Sequence, residues 1–175
     1  QIENNVDKGK ILLQQQFNLN QAITAGELYD ALSKVGATLI LKALDSIEND
    51  TMIFKSQNNK LASYAPKLYP KDYKIDWNNS AINIHNKIRA LSPKPGAYSY
   101  FNKKRIKLFN SYLNPKINIQ LTVPGEIFYQ NKRLFVLTGD GILEICELQR
   151  ESRSRLKVGQ YFSSYNEIQG KYFVR

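Results

Sequence analysis

The sequence predicts an α/β segment followed by a small all-β barrel with one flanking helix. Three observations predict it. An apolar run, "KILLQQQF", leads into a single long amphipathic helix near the start of the chain. A proline-marked stretch without a clear period follows it. After Gly96 the pattern changes to short alternating strands separated by turn residues.

The elements follow in order. In "ENNVDKGKILLQQQF", residues 3–17, Asp7 with Gly9 close behind reads as a tight turn, because Asp bonds its own backbone and Gly accepts positive φ. "GKILLQQQFNLN" then reads as a buried strand leaving that turn. Thr24 with Glu27 forms a capping box, in which hydroxyl and carboxylate satisfy orphan amides reciprocally. From there Leu28, Leu32, Val35, Leu39, Ala43 and Ile47 recur at spacings of three and four, one apolar face of a helix ending near residues 48–50. One strand and one helix cannot enclose a core, so residues 1–50 read as the tail of a larger α/β domain whose beginning is absent. Residues 51–73, with Pro66 and Pro70, read as an ordered linker.

Residues 74–175 read as the second domain. Ser80 caps a short helix, "SAINIHNKIRAL", with Ala81, Ile84, Ile88 and Leu91 on its inner face, and His85 and Arg89 on a neighbouring one. Pro93 and Pro95 bar its continuation. The strands are "AYSYF", "RIKLFNSYL", "INIQLTV", "GEIFYQ", "RLFVLT" and "ILEICEL", joined by "NKK", "NPK", "PG", "NK" and "GDG". In "INIQLTV", Ile117, Ile119, Leu121 and Val123 alternate with polar residues, as in a half-buried strand. So many short strands beside one helix suggest a closed or nearly closed barrel of the oligonucleotide-binding type.

Composition narrows the function. Residues 1–70 carry as many acids as bases, so the whole net charge of +10 falls on residues 71–175. A domain that basic, and rich in Tyr and Phe, points to a polyanion, most commonly nucleic acid. The lone Cys146, in "ILEICEL", excludes an internal disulfide framework and reads as a buried strand thiol; the lone His85 excludes a multi-His metal site. No metal is expected. No run approaches the roughly 18 apolar residues of a membrane span, and a reducing, cytoplasmic setting fits.

The phrases "VDKGKILLQ", "TAGELYDALSKVGATLILKAL", "ASYAPKL", "KIDW", "IHNKIRALSPKPGAY" and "TGDGILEICELQ" occur in the order found in methionyl-tRNA formyltransferases, and the chain resembles that family over nearly its whole length. The resemblance implies a Rossmann-like catalytic domain, truncated here to residues 1–50, then the linker, then an OB-like C-terminal domain. It implies transfer of a formyl group from 10-formyltetrahydrofolate to the amino group of initiator methionyl-tRNA, by a monomer that touches no membrane. Asp7 matches the Asp of the family's L-D-x-G turn, while the family's catalytic Asn and His come from an earlier segment with no counterpart here. The chain alone is therefore expected to be inactive, with the donor bound mainly by the missing part. His85 lies in the second domain and does not fill the role. Asn5 stands where the family usually has Gly, and Lys94 where it commonly has Trp.

Contact with tRNA is expected mainly through phosphates. The resemblance places a linker Lys at Lys67, and Lys71 and Lys74 continue that edge. Arg89 projects from the short helix. Lys103, Lys104, Arg105 and Lys107 cluster on one hairpin, where strand alternation sends Arg105 and Lys107 to one face and Ile106 to the core. Arg153, Arg155 and Lys157 follow the last predicted strand. Two other readings are a non-catalytic RNA-binding module and a sugar N-formyltransferase. The latter needs no extended basic surface.

Overall fold

The computed structural model describes residues 1–113, 115–164 and 171–174. It divides into two compact units, one of residues 1–23 and 27–67, the other of residues 24–26 and 68–175.

The long periodic segment is helix α1, Ala25–Glu48, whose residues 27–48 belong to the first unit. Its periodic face is only half covered at Leu28, Val35, Leu39 and Ala43, and Leu32 and Ile47 are exposed. No residue of α1 is buried. The strand expected in "GKILLQQQFNLN" is not formed. Ile11 alone makes a β-bridge, exchanging both backbone hydrogen bonds with Lys55 at 2.9 Å, and Leu13 and Leu19 are exposed. A ladder needs a neighbour along its length, and Lys55 supplies one rung.

The second unit is built on one antiparallel sheet. Its strands are β1 (Ala97–Phe101), β2 (Lys104–Leu113), β3 (Ile127–Gln130), β4 (Arg133–Leu137), β5 (Ile142–Arg150), β6 (Arg155–Lys157) and β7 (Phe173–Val174). They run in the order β3-β4-β5-β2-β1-β7, with β6 added to β5. The sheet curls until its two ends meet. Phe173 N–H donates to the Gly125 carbonyl at 2.8 Å, Ile127 N–H donates to the Lys171 carbonyl at 3.0 Å, and Glu126 bridges Tyr172. Gly125 allows this approach. Its φ is +92°, and a Cβ there would stand 2.6 Å from the Phe173 carbonyl oxygen.

Two hairpins turn on the same dipeptide. Asn102–Lys103 joins β1 to β2 and Asn131–Lys132 joins β3 to β4, with all four residues between φ +49° and +62°. Two-residue hairpin loops whose twist suits the flanking strands need positive φ at both positions. Asn accepts that readily, and Lys is held there by the strand pairing.

Helix α2, Ala81–Ala90, turns Ala81, Ile84, His85 and Ile88 inward. It carries two caps: Ser80 Oγ accepts from Asn83 N–H at 3.3 Å, and Asp140 Oδ1 accepts from Ala81 N–H at 2.7 Å. The "TGDG" turn between β4 and β5 thus serves the helix. Gly139 N–H donates to the Asn79 carbonyl at 2.9 Å, and a Cβ at Gly139 would run into the Asn78 carbonyl. The "IDW" motif is equally structural. Trp77 is fully buried, stacks on Phe173 at 5.3 Å, and donates its indole N–H to Ser99 Oγ at 3.0 Å. Ile84, Ile88, Phe101, Ile106, Leu108, Leu134, Leu143, Leu148 and Phe162 complete this core.

Two further expectations are corrected. "INIQLTV" alternates between half-covered and exposed as predicted, but forms no strand. It ends on the Glu126 carboxylate, which accepts from Thr122 N–H at 2.7 Å, Thr122 Oγ1 at 3.1 Å and Val123 N–H at 3.2 Å. Chiefly the Thr122 amide, against a cost of burial, holds that carboxyl below its usual range. Cys146 on β5 is half-buried, since β5 there turns it away from the core that receives Ile145. Burial, then Glu144 and Glu147, push its thiol up to about 11, against the opposing pull of Arg133. The short strands β6 and β7 were not expected at all.

Candidate functional site

In the first unit Asp7 occupies the turn Asn5–Lys8, closed by a long 3.4 Å bond from Lys8 N–H to the Asn5 carbonyl. The positive φ falls on Asp7 itself, at +59°, and not on Asn5 or Gly9. Asp7 is exposed and lines an open cleft of about 950 Å³ with Lys8, Leu12, Lys55, Gln57 and Asn58. The side-chain amide of Gln57 donates to the Asp7 carbonyl at 2.9 Å and to the Gly9 carbonyl at 2.7 Å. A carboxylate presented this way can take a proton or hold a neighbouring cation. It cannot by itself stabilise an oxyanion, which needs donors. His85 does not supply one. In the second unit its Nδ1 lies 2.9 Å from Ser111 Oγ, both side chains buried, and burial first and Arg89 second lower its pKa from the usual 6.5. Among the described residues no three His, Cys, Asp or Glu side chains converge on a metal site, and no helix is long and apolar enough to cross a membrane.

The second unit places part of its positive charge on one sheet face. Pairing aligns Lys74 with Tyr98, Tyr98 with Lys107, Lys107 with Gln149, and Gln149 with Arg155. Cross-strand partners point to one side of a sheet, so these five residues form a single row. Arg105, two residues from Lys107, shares that face, and Ile106 between them is fully buried, as the alternation predicts. The Arg105 guanidinium lies over the Tyr98 ring at 4.0 Å, with Tyr100 edge-on to Tyr98 at 5.8 Å. Its Nε is buried without a hydrogen-bond partner. Arg105, Lys107, Gln149 and Arg150 border a cleft of about 210 Å³. Lys103, Lys104, Arg105 and Arg150 border a second, of about 550 Å³, with Tyr100.

The other candidates differ in setting. Lys103 and Lys104 are exposed at the hairpin tip, and Lys71 is exposed on a 3-10 turn, Pro70–Tyr73. Arg153 and Lys157 are exposed on either side of Arg155. Arg89 is half-buried and its Nε donates to Asn86 Oδ1 at 2.9 Å. Arg155 lies over Phe109 at 4.5 Å and is ion-paired with Glu147, so its charge is already engaged. Lys67 belongs to the first unit. Tyr98, Gln149, Arg150 and Gln57 escaped the sequence reading. Only strand register, which joins distant segments, brings them forward.

Comparison with known proteins completes the picture. The formyl transferase C-terminal domain matches residues 67–166. Methionyl-tRNA formyltransferase of Carboxydothermus hydrogenoformans is 36% identical over 174 residues, 98% of this chain and 56% of that protein. Its counterpart in Staphylococcus epidermidis is 37% identical over 164 residues, covering 93% and 52%. The chain spans about half the length of the curated relatives it matches. Among solved structures, HypX from Aquifex aeolicus in complex with tetrahydrofolic acid shares the fold, with a TM-score of 0.73 at 18% identity over 99% of this chain and 32% of that one. The sugar 3N-formyl transferase WlaRD gives a TM-score of 0.61 at 25% identity, over 87% of this chain and 53% of that one. From its match to the C-terminal domain and its likeness to methionyl-tRNA formyltransferases, this chain belongs to the formyl transferase family.

Proposed function

We propose that this chain is the C-terminal part of a methionyl-tRNA formyltransferase and that its second unit, an OB-like barrel, holds the tRNA. The whole protein would move the formyl group of 10-formyltetrahydrofolate to the amino group of initiator methionyl-tRNA, serving translation initiation. The amine attacks the formyl carbon, the bond to the folate nitrogen breaks, and the amine's proton leaves through water. Asp7 would keep a neighbouring imidazole charged and help remove that proton. The oxyanion donors, and most of the hold on the folate donor, would come from the half of the relatives that this chain does not span. On its own the chain is then a tRNA-binding piece without activity.

The observation that carries the tRNA reading is the row Lys74–Tyr98–Lys107–Gln149 with Arg105 beside it; Arg155 ends the row with its charge shared with Glu147. Cations spaced along a face interleaved with tyrosines suit a phosphate backbone. Lys71, Arg89, Lys103, Lys104, Arg153 and Lys157 would add to it within the second unit, and Lys67 in the first unit would be a separate phosphate contact. A second reading, sugar N-formyl transfer, draws on the likeness to WlaRD. The positive charge carried by residues 71–175 weighs against it.

Titrating the chain with initiator and elongator tRNA at several salt concentrations tests the binding. Affinity should fall steeply with salt, each neutralised phosphate adding roughly 0.7 to 0.9 to the log–log slope, with little preference between the tRNAs. Salt-independent binding would refute it. A version extended to the full length of the relatives should formylate methionyl-tRNA and leave a dTDP-linked amino sugar untouched. The reverse outcome selects the sugar reading, and neither activity leaves a non-catalytic RNA-binding module.

A further inference from the structure

The turn that carries Asp7 does not close itself firmly. Its own hydrogen bond is 3.4 Å long, and Asp7 sits at φ +59°, in the left-handed region that Asp tolerates better than most residues but that still favours glycine. Ile11 and Lys55 exchange two bonds of 2.9 Å. Two residues outward on each segment, where the next antiparallel rung would pair Gly9 with Gln57, the backbone bonds are replaced by a side chain. The Gln57 amide spends both of its hydrogens there, one on the Asp7 carbonyl at 2.9 Å and one on the Gly9 carbonyl at 2.7 Å. Two carbonyl acceptors fix which end of the amide faces the turn. Gln57 and Asp7 line the same cleft.

We propose that Gln57 is a positioning residue for the Asp7 carboxylate, standing in for a missing sheet rung and clamping the turn on both sides of Lys8. This rests on the reading of Asp7 as the reaction's carboxylate. Gln57 touches no reacting atom. By fixing the Asp7 and Gly9 carbonyls it fixes the direction in which the Asp7 side chain leaves the backbone. A carboxylate in its place has no hydrogen to offer and would face two carbonyl oxygens.

The test uses Gln57→Glu, nearly identical in size, and Gln57→Ala, with two readouts. In this chain, amide hydrogen exchange at Lys8 and Gly9 should speed up in both variants while the second unit's amides keep their protection. In a version extended to the full length of the relatives, kcat for methionyl-tRNA should fall by about tenfold to a hundredfold, the scale of a small misplacement of a catalytic group. KM should stay put, because the loss concerns the transition state and not binding. Unchanged exchange at the turn in both variants overturns the proposal. So does a loosened turn with normal kcat in a protein that Asp7→Asn inactivates. If Asp7→Asn is itself fully active, the reading of Asp7 fails and takes this proposal with it.

Discussion

His85 and Ser111 meet at 2.9 Å in the interior of the second unit, a polar contact that ties helix α2 to strand β2. Burial and the nearby Arg89 guanidinium both disfavour imidazolium there, so the folded-state pKa lies below the 6.5 of the unfolded chain. Between those two values the unfolded chain binds more protons. The contribution to stability is therefore full above pH 6.5 and declines as pH falls through it. Thermal unfolding between pH 7.5 and 5 should show this decline. His85→Asn, which stays neutral and keeps a polar atom near Ser111, should flatten it. An equally steep decline in the variant would assign the pH dependence elsewhere.

Asp140 reaches Ala81 across 59 residues of sequence and caps α2 beside Ser80. Asp140→Ala should cost about 1–2 kcal/mol, the upper range for a helix cap. Asp140→Asn, which keeps an acceptor oxygen, should cost less. Urea unfolding of the two variants measures the difference, and equal losses would mean that the carboxylate charge matters more than the hydrogen bond.

Arg105 lies flat on Tyr98. Lysine cannot reproduce that plane. Arg105→Lys should weaken tRNA binding, because the ring no longer pre-places the charge, and should cost the second unit about 0.5–1 kcal/mol of stability, the worth of a cation–π contact. Arg105→Ala should also lower the salt slope by roughly 0.7 to 0.9. Equal binding by the parent chain and the lysine variant would reduce Arg105 to a point charge.

Helix α1 buries no residue, while the second unit holds a continuous core. Apolar area left in water contributes none of the roughly 25 cal/mol per Å² that burial provides. Limited trypsin digestion should clip first within residues 1–67, at sites such as Lys42 and Lys55, and leave a resistant fragment beginning near residue 68. A stable N-terminal fragment beside a digested C-terminal one would contradict the distribution of core residues.

The sequence and the structure agree where local signals suffice. Strands β1 to β5 and helix α2 stand where alternation, capping and prolines put them. "INIQLTV" shows what alternation alone reports. Its apolar residues lie on one partly covered side, yet alternation cannot supply a partner strand. Strands β6 and β7 have three and two residues, too few for any period to register. The basic hairpin was legible because Lys103 to Lys107 are contiguous. The row that crosses five segments was not, since Lys74, Tyr98, Lys107, Gln149 and Arg155 become neighbours only through register. Nor could the sequence reveal that Glu147 already occupies Arg155.

The closing contact of the sheet has a consequence for synthesis. Phe173 stacks on Trp77 and lies 5.8 Å from Phe101, and its strand joins β1 to the Gly125–Ile127 segment. Chains emerge from the ribosome N-terminus first, at about 5–20 residues per second. Trp77 and Phe101 are therefore made seconds before the ring that covers them. Until Phe173 leaves the exit tunnel the two ends of the sheet stay apart and these aromatics face water, so a stall just short of it would present a nascent chain with an open, sticky interior to whatever chaperone waits there.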